Sequence, residues 1–107
     1  MTKYMIYLSV VILTKNNEAT IASSIQSVSF ADEIVVIDDE SCDATRDIAK
    51  QHNAIVYTKK LEDYSKQRNF ALSKTNGKWV LFIDSDEVVS RNLAEEIQKV
   101  VYNSSND

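Results

Sequence analysis

Residues 5–14 read Met-Ile-Tyr-Leu-Ser-Val-Val-Ile-Leu-Thr, a run in which Ile6, Leu8, Val10, Val11, Ile12 and Leu13 leave few polar positions. A strand with one face in water alternates apolar and polar residues, whereas a near-continuous apolar run suits a strand covered on both faces, as in a parallel sheet. Glu33 to Ile37 (EIVVI) and Lys78 to Ile83 (KWVLFI) repeat the pattern, with Ala54 to Tyr57 (AIVY) as a shorter strand between them. Helical spacing fills the gaps. Asn16 and Asn17 offer N-caps ahead of Ile21, Ile25 and Val28, which fall on one helical face. Ser41 or Asp43 precedes a helix whose inward residues would be Ala44, Ile48 and Ala49. After a charged loop from Thr58 to Asp63, Ser65 to Lys74 reads as a helix with Phe70 and Leu72 for packing, ended by Asn76-Gly77. Ser90 caps a last helix with Leu93, Ile97, Val100 and Val101 as its buried stripe, and residues 103–107 form a polar, frayed tail. Strand and helix alternate four times, which predicts parallel strands joined by right-handed helical crossovers: a single α/β, Rossmann-like sandwich over residues 1–107.

Composition narrows the function. Hydrophobic residues are 44 % and charged residues 26 % of 107, an ordinary globular balance, and no apolar run approaches the roughly 20 residues that a bilayer demands. No signal peptide is expected. Sixteen acids against 12 Lys and Arg give a net charge of −4, which argues against a nucleic-acid partner. One cysteine, Cys42, forbids an internal disulfide and fits a reducing cytoplasm; with a single histidine it also excludes a structural zinc site. Any bound metal must therefore sit on carboxylates, which favours Mg²⁺, Mn²⁺ or Ca²⁺. Gly77 is the only glycine and proline is absent, so tight turns must use Asn, Asp, Ser or Lys.

Ligands of open parallel sheets bind beyond the carboxyl ends of the strands. Three strands here end in polar groups: Thr14-Lys15-Asn16, Asp38-Asp39 and Asp84-Ser85-Asp86. Four carboxylates would then crowd one rim, with Glu40 and Glu87 nearby, and a divalent cation is the usual remedy for such repulsion. In Asp84-x-Asp86 the period of a strand aims both carboxylates the same way. The plainer account is that these residues serve as turn residues or caps, which fits Asp43 best.

Together the segments Ser9-Val-Val-Ile-Leu-Thr-Lys-Asn-Asn17, Ile34-Val-Val-Ile-Asp-Asp-Glu-Ser-Cys-Asp-Ala-Thr45, Gln67-Arg-Asn-Phe-Ala-Leu72 and Trp79-Val-Leu-Phe-Ile-Asp-Ser-Asp-Glu87 resemble, in order and spacing, the N-terminal half of a family 2 glycosyltransferase of GT-A fold. Within that family the chain is similar to the bacterial lipopolysaccharide-core glucosyltransferases. The resemblance implies a nucleotide-sugar donor, usually a UDP-sugar, with Mg²⁺ or Mn²⁺ on its diphosphate and a glycan or lipid-linked acceptor. By position it implies that Thr14 meets the nucleoside and Asp39 accepts a hydrogen bond from the uracil imide. Asp38 would support that loop or the ribose, and Arg68 would lie near the uracil or diphosphate. Asp84 would approach the ribose or a metal-bound water, and Asp86 would ligate the metal. The general base and the acceptor-binding half have no matching positions, so the chain is expected to bind donor and metal but to transfer sugar poorly or not at all alone. A cytoplasmic protein, peripheral at the inner face of a membrane, follows from the same resemblance. Glu40 and Ala44 stand where the family commonly has glycine; a positive φ at Glu40 would cost about 1 kcal/mol.

Other readings compete. Arg68 can pair with Glu62 or Asp63 as a surface residue, and Thr14 can cap the first helix. Lys59, Lys60 and Lys66 read as a solvated charge run, Trp79, Phe82 and Phe70 as core, Cys42 as inert and His52 as structural. Ile83-Asp84-Ser85-Asp86-Glu87-Val88 also fits the Asp-x-Asp-x-Val core of haloacid-dehalogenase-like phosphatases, in which the first Asp is the nucleophile, but too little chain follows to supply their further catalytic strands. A third possibility is a non-catalytic nucleotide-binding or partner domain: a sheet ending at its fourth strand leaves an open edge that predicts a homodimer.

Overall fold

The computed structural model describes residues 5–104. The chain runs β1 (Leu8–Thr14), α1 (Ile21–Ser27), β2 (Glu33–Asp38), α2 (Thr45–Gln51), β3 (Ile55–Thr58), α3 (Tyr64–Ser73), β4 (Trp79–Asp84) and α4 (Arg91–Ser104). The four strands form one parallel sheet in the order β3-β2-β1-β4. The expected α/β architecture is therefore observed.

β1 is central, with six of its seven residues buried, which is why its sequence is apolar on both faces. Its period-2 geometry splits the core in two. Leu8, Val10 and Ile12 join Ile21, Ile25 and Val28 of the α1 segment, Ala49 of α2, Ile83 and Val101 of α4. Val11 faces the other way, with Val35, Ile37 and Ala71 of α3, flanked by Leu13, Phe70, Val80 and Phe82. The chain steps outward from β1 to β2 to β3, then returns across the sheet to β4 on the far side of β1. Right-handed crossovers that reverse direction must put their helix on the opposite face, so α3 lies alone there. The reversal leaves a crevice at the strand ends, where β1 meets β4.

Several expected details differ. Asn16 and Asn17 do not cap α1: the N-cap is Thr20, without a side-chain bond. On α2 the inward residues are Thr45, Ile48 and Ala49, while Ala44 is an exposed N-cap. α3 is capped by the Asp63 carboxylate, which accepts from the Lys66 amide, and its inward stripe is Gln67, Phe70 and Ala71. That spacing turns Leu72 outward. On α4 the stripe is Ala94, Ile97, Gln98 and Val101: Ile97 and Val101 are as expected, while Leu93 and Val100 stay 50 % and 51 % exposed. Trp79 is 41 % exposed because β4 is an edge strand. Ser90 does cap its helix: its hydroxyl accepts from the Leu93 amide at 3.1 Å. Of the expected frayed tail, residues 103–104 belong to α4 and residues 105–107 lie outside the described residues.

Gly77 is required for space rather than for an unusual turn. A Cβ there would lie 2.6 Å from the Ser9 backbone nitrogen and 2.7 Å from the Trp79 carbonyl oxygen. Positive φ falls instead on Asn16, Glu40 and Asn53, at 53°, 51° and 68°.

Candidate functional site

The strand register sets Asp84 beside Leu13 and Asp38 beside Thr14, so the three polar strand ends share one rim. Over them lies a cleft of about 180 Å³. β1 and its end contribute Leu13, Thr14 and Lys15; β2 and its end contribute Ile37 and Asp39; β4 contributes Asp84. The remaining wall is Leu61, Tyr64 and Gln67, carried to the rim by the crossover into α3. None of these three was singled out from sequence as a site residue. Their signal is tertiary: only the return of the chain across the sheet sets α3 against β1 and β2.

Asp38 is turned inward and has no exposed surface. Its two oxygens accept from the Ser41 amide at 2.8 Å and the Ser41 hydroxyl at 2.5 Å, and Arg46 Nε stands 3.6 Å away. These contacts tie the Asp38 carboxylate to the loop that follows β2. A buried carboxylate is costly unless it is hydrogen-bonded and paired, and this one is both. Glu40 is held in its left-handed conformation between Asp38 and Ser41. Asp39 points to the cleft, its Oδ1 accepting from the Leu61 amide at 2.8 Å and its Oδ2 3.8 Å from Lys15 Nζ.

The Asp84-Ser85-Asp86 turn is built oppositely. Ser85 is buried; its hydroxyl donates to Asn17 Oδ1 at 2.5 Å and its carbonyl accepts from the hydroxyls of Thr20 and Ser24. Glu87 closes the turn, accepting from the Asp84 amide at 2.6 Å and donating its own amide to the Asp84 carbonyl at 3.0 Å. Exposure alternates, so Asp84 and Asp86 face solvent on either side of Ser85. Among the described residues, neither carboxylate has a hydrogen-bond or ion-pair partner.

The asparagines expected as caps instead tie the rim together. Asn17 Oδ1 also accepts from Thr14 Oγ1 at 3.0 Å and the Lys15 amide at 3.1 Å, and the Asn17 amide donates to Thr45 Oγ1 at 2.8 Å. Asn16 donates its amide to Ser41 Oγ and accepts from the Cys42 amide, both at 2.8 Å. Asp43 acts at the start of α2, accepting from the amide and hydroxyl of Thr45; that hydroxyl holds its carboxyl below the ordinary aspartate value.

Arg68 pairs with neither Glu62 nor Asp63. Its guanidinium lies 4.5 Å from the centre of the Phe82 ring, in a hollow of about 310 Å³ whose wall includes Leu13, Tyr64 and Asp84. That hollow adjoins the cleft through those three residues. Lys66 takes Glu62 instead, at 3.0 Å.

The expected crowd of four carboxylates does not form, because Asp38 is internal and Asp39 bonds the loop. Among the described residues, no three His, Cys, Asp or Glu side chains gather to hold a cation by themselves. What remains, the unengaged Asp84 carboxylate in the cleft wall with that of Asp86 two residues beyond it, suits Mg²⁺ or Mn²⁺. Hard cations of this kind take one or two carboxylates and fill the other positions with phosphate oxygens and water.

The Glycosyl transferase family 2 model matches residues 9–107. An uncharacterized glycosyltransferase of Rickettsia typhi is 43 % identical over 101 residues, covering 94 % of this chain and 35 % of its own length. The poly(ribitol-phosphate) beta-N-acetylglucosaminyltransferase of Staphylococcus aureus is 33 % identical over 86 % of this chain and 18 % of its own. Among solved structures, glucosyl-3-phosphoglycerate synthase from Mycobacterium tuberculosis with Mn²⁺, UDP and glucosyl-3-phosphoglycerate superposes with a TM-score of 0.66 at 32 % identity, over 75 % of this chain and 33 % of that one. Mannosyl-3-phosphoglycerate synthase from Rubrobacter xylanophilus gives 0.75 at 26 % identity, over 90 % and 36 %. The chain thus spans about a third of the length of the Rickettsia relative. In this fold the Asp-x-Asp motif ends the edge strand β4, and the phosphatase reading has no support among these relatives.

Proposed function

The chain belongs to glycosyl transferase family 2, and from that premise we propose that the rim cleft takes the nucleoside diphosphate of a nucleotide-sugar donor, a UDP-sugar, with Mg²⁺ or Mn²⁺ at its Asp84–Asp86 end. The observation that carries the reading is the pair of unengaged carboxylates on a turn anchored through Ser85. Thr14 and Asp39 line the nucleoside end, Asp39 accepting from the base imide while Lys15 balances its charge. Asp38 positions Asp39 by fixing the loop. Asp84 meets the ribose or a metal-bound water, Asp86 ligates the metal, and Arg68 offers its guanidinium to the diphosphate. A bound divalent cation supplies charge neutralisation for the departing diphosphate.

The reaction is attack of an acceptor hydroxyl on the anomeric carbon: the new C–O bond forms as the bond to the diphosphate breaks. The base that takes the hydroxyl proton is not among this chain's assigned residues, and the acceptor is a glycan or lipid-linked glycan of a cell-surface polysaccharide or lipopolysaccharide. The site would work from the cytoplasmic side, where nucleotide sugars are made, as a peripheral domain; no helix among the described residues is long and apolar enough to cross a membrane. Taken alone, the chain binds donor and transfers sugar poorly or not at all.

Calorimetric titration with UDP, with and without Mn²⁺, tests this directly. Metal-dependent binding that disappears in Asp86→Ala supports it; no binding under either condition overturns it. A second reading, association through the open β4 edge, is favoured by the exposed Trp79, Leu93 and Val100 beside that strand. Sedimentation at high concentration should show a dimer, and a monomer there rejects it.

A further inference from the structure

Gln67 sits in the first half of α3 with only 2 % of its surface exposed, and it forms part of the cleft wall. Its Nε2 donates to the Lys59 carbonyl at 2.9 Å, while its Oε1 is closed to solvent and has no hydrogen-bond partner. Among the described residues it is the one buried side-chain polar atom left in that state. Rotating the amide does not help, because the oxygen would then face the Lys59 carbonyl and the NH₂ would be stranded. Nor can the loop give way easily. Lys59 donates its amide to the Asp38 carbonyl at 2.8 Å, and Leu61 donates to Asp39 Oδ1. The acceptor is therefore held in place and left unsatisfied, which native structures tolerate rarely.

Resting on the nucleotide reading of the cleft, we infer that Gln67 is a specificity-determining residue whose Oε1 accepts a hydrogen bond from a donor on the bound nucleoside. Phosphate oxygens carry no such donor and the single base N–H is given to Asp39, so the group is a ribose hydroxyl. The position agrees: Gln67 shares its wall with Asp39 and Leu61, and it is absent from the Arg68 hollow. Tyr64, one turn earlier on α3 and exposed, lines the same wall.

The experiment is a cycle of Gln67→Met and wild type against UDP, N3-methyl-UDP, 2′-deoxy-UDP and 3′-deoxy-UDP, with Mn²⁺ present. Gln67→Met should weaken UDP about three- to tenfold, the worth of one hydrogen bond. One deoxy analogue should show a matching penalty on wild type that vanishes on Gln67→Met, and its identity separates the 2′- from the 3′-hydroxyl, while the N3-methyl penalty, which reads Asp39, should be equal on both proteins. Thermal stability gives the second readout: Gln67→Met removes a stranded acceptor but also the donor to the Lys59 carbonyl, two changes of opposite sign, so its Tm should stay close to wild type. Equal penalties on both proteins for every analogue overturn the inference, as does a Tm well below wild type with UDP affinity unchanged. If wild type binds no UDP, the nucleotide reading itself fails and takes this inference with it.

Discussion

The two acidic pairs on the rim look alike in sequence and are used in opposite ways. At the end of β2 the carboxylates belong to the fold: Asp38 is buried against Ser41 and Arg46, and Asp39 holds the Leu61 amide. At the end of β4 the fold is served by the residues between and after the acids, Ser85 and Glu87, and the acids themselves are idle. Placing structural bonds on a neighbouring serine leaves both oxygens of a carboxylate open to a ligand, whereas placing them on the carboxylate uses its oxygens up, both at Asp38 and Oδ1 alone at Asp39. The difference separates loop-building acids from ligand-binding ones where the motif cannot.

The largest test of that contrast is Asp38→Ala. It strands the Ser41 amide and hydroxyl and removes the carboxylate beside Arg46, so urea unfolding should show a loss of about 3 kcal/mol. A loss below about 1 kcal/mol would mean the buried pair contributes no more than a surface acid. Ser85→Ala should come next, at about 1 kcal/mol, because Asn17 Oδ1 keeps two other donors. Its sharper signature is functional: UDP affinity should fall although Ser85 is buried beneath the turn. Unchanged affinity would show that the turn needs no anchor there.

Glu40→Gly probes the β2 side with opposite sign. Glu40 has a φ of 51°, where a side chain costs about 1–2 kcal/mol. Glycine loses about 0.4–1 kcal/mol of that through the freer unfolded chain, so a net gain near 0.5 kcal/mol is expected. Thermal denaturation checks it, and destabilisation would indicate an unrecognised role for the Glu40 side chain. The strain persists because Ser41, bonded to Asp38 and Asn16, fixes the backbone on the following side.

How much of this could be read beforehand depended on how local the cause was. The apolar β1 run states its double burial because a central parallel strand has no wet face, and the period of a strand puts Asp84 and Asp86 on one side of the turn with Ser85 on the other. Asn16 and Asn17 looked like caps because capping is a local rule, yet their partners are Ser41, Cys42, Thr45 and Ser85, far along the chain. Gln67 and Tyr64 join the cleft only because β4 returns beside β1. Apolarity reads Leu93, Val100 and Trp79 as core, but it does not say that β4 is the edge of the sheet among the described residues.

The smallest expected change in stability is the one on which the contrast turns. In Asp84→Asn/Asp86→Asn, no bond from either carboxylate to the protein is lost, and two negative charges near Glu87 are removed. Urea unfolding without ligand should therefore move by no more than about 0.5 kcal/mol. With UDP and Mn²⁺ the same protein should show none of the rise in Tm that binding gives the wild type, since ligand stabilisation scales with occupancy. A loss of 2 kcal/mol or more without ligand would place these acids with Asp38 as parts of the fold. An unchanged ligand-induced rise would leave them idle in the bound protein as well. Silence in the first measurement with loss in the second is the pattern of carboxylates kept for a ligand.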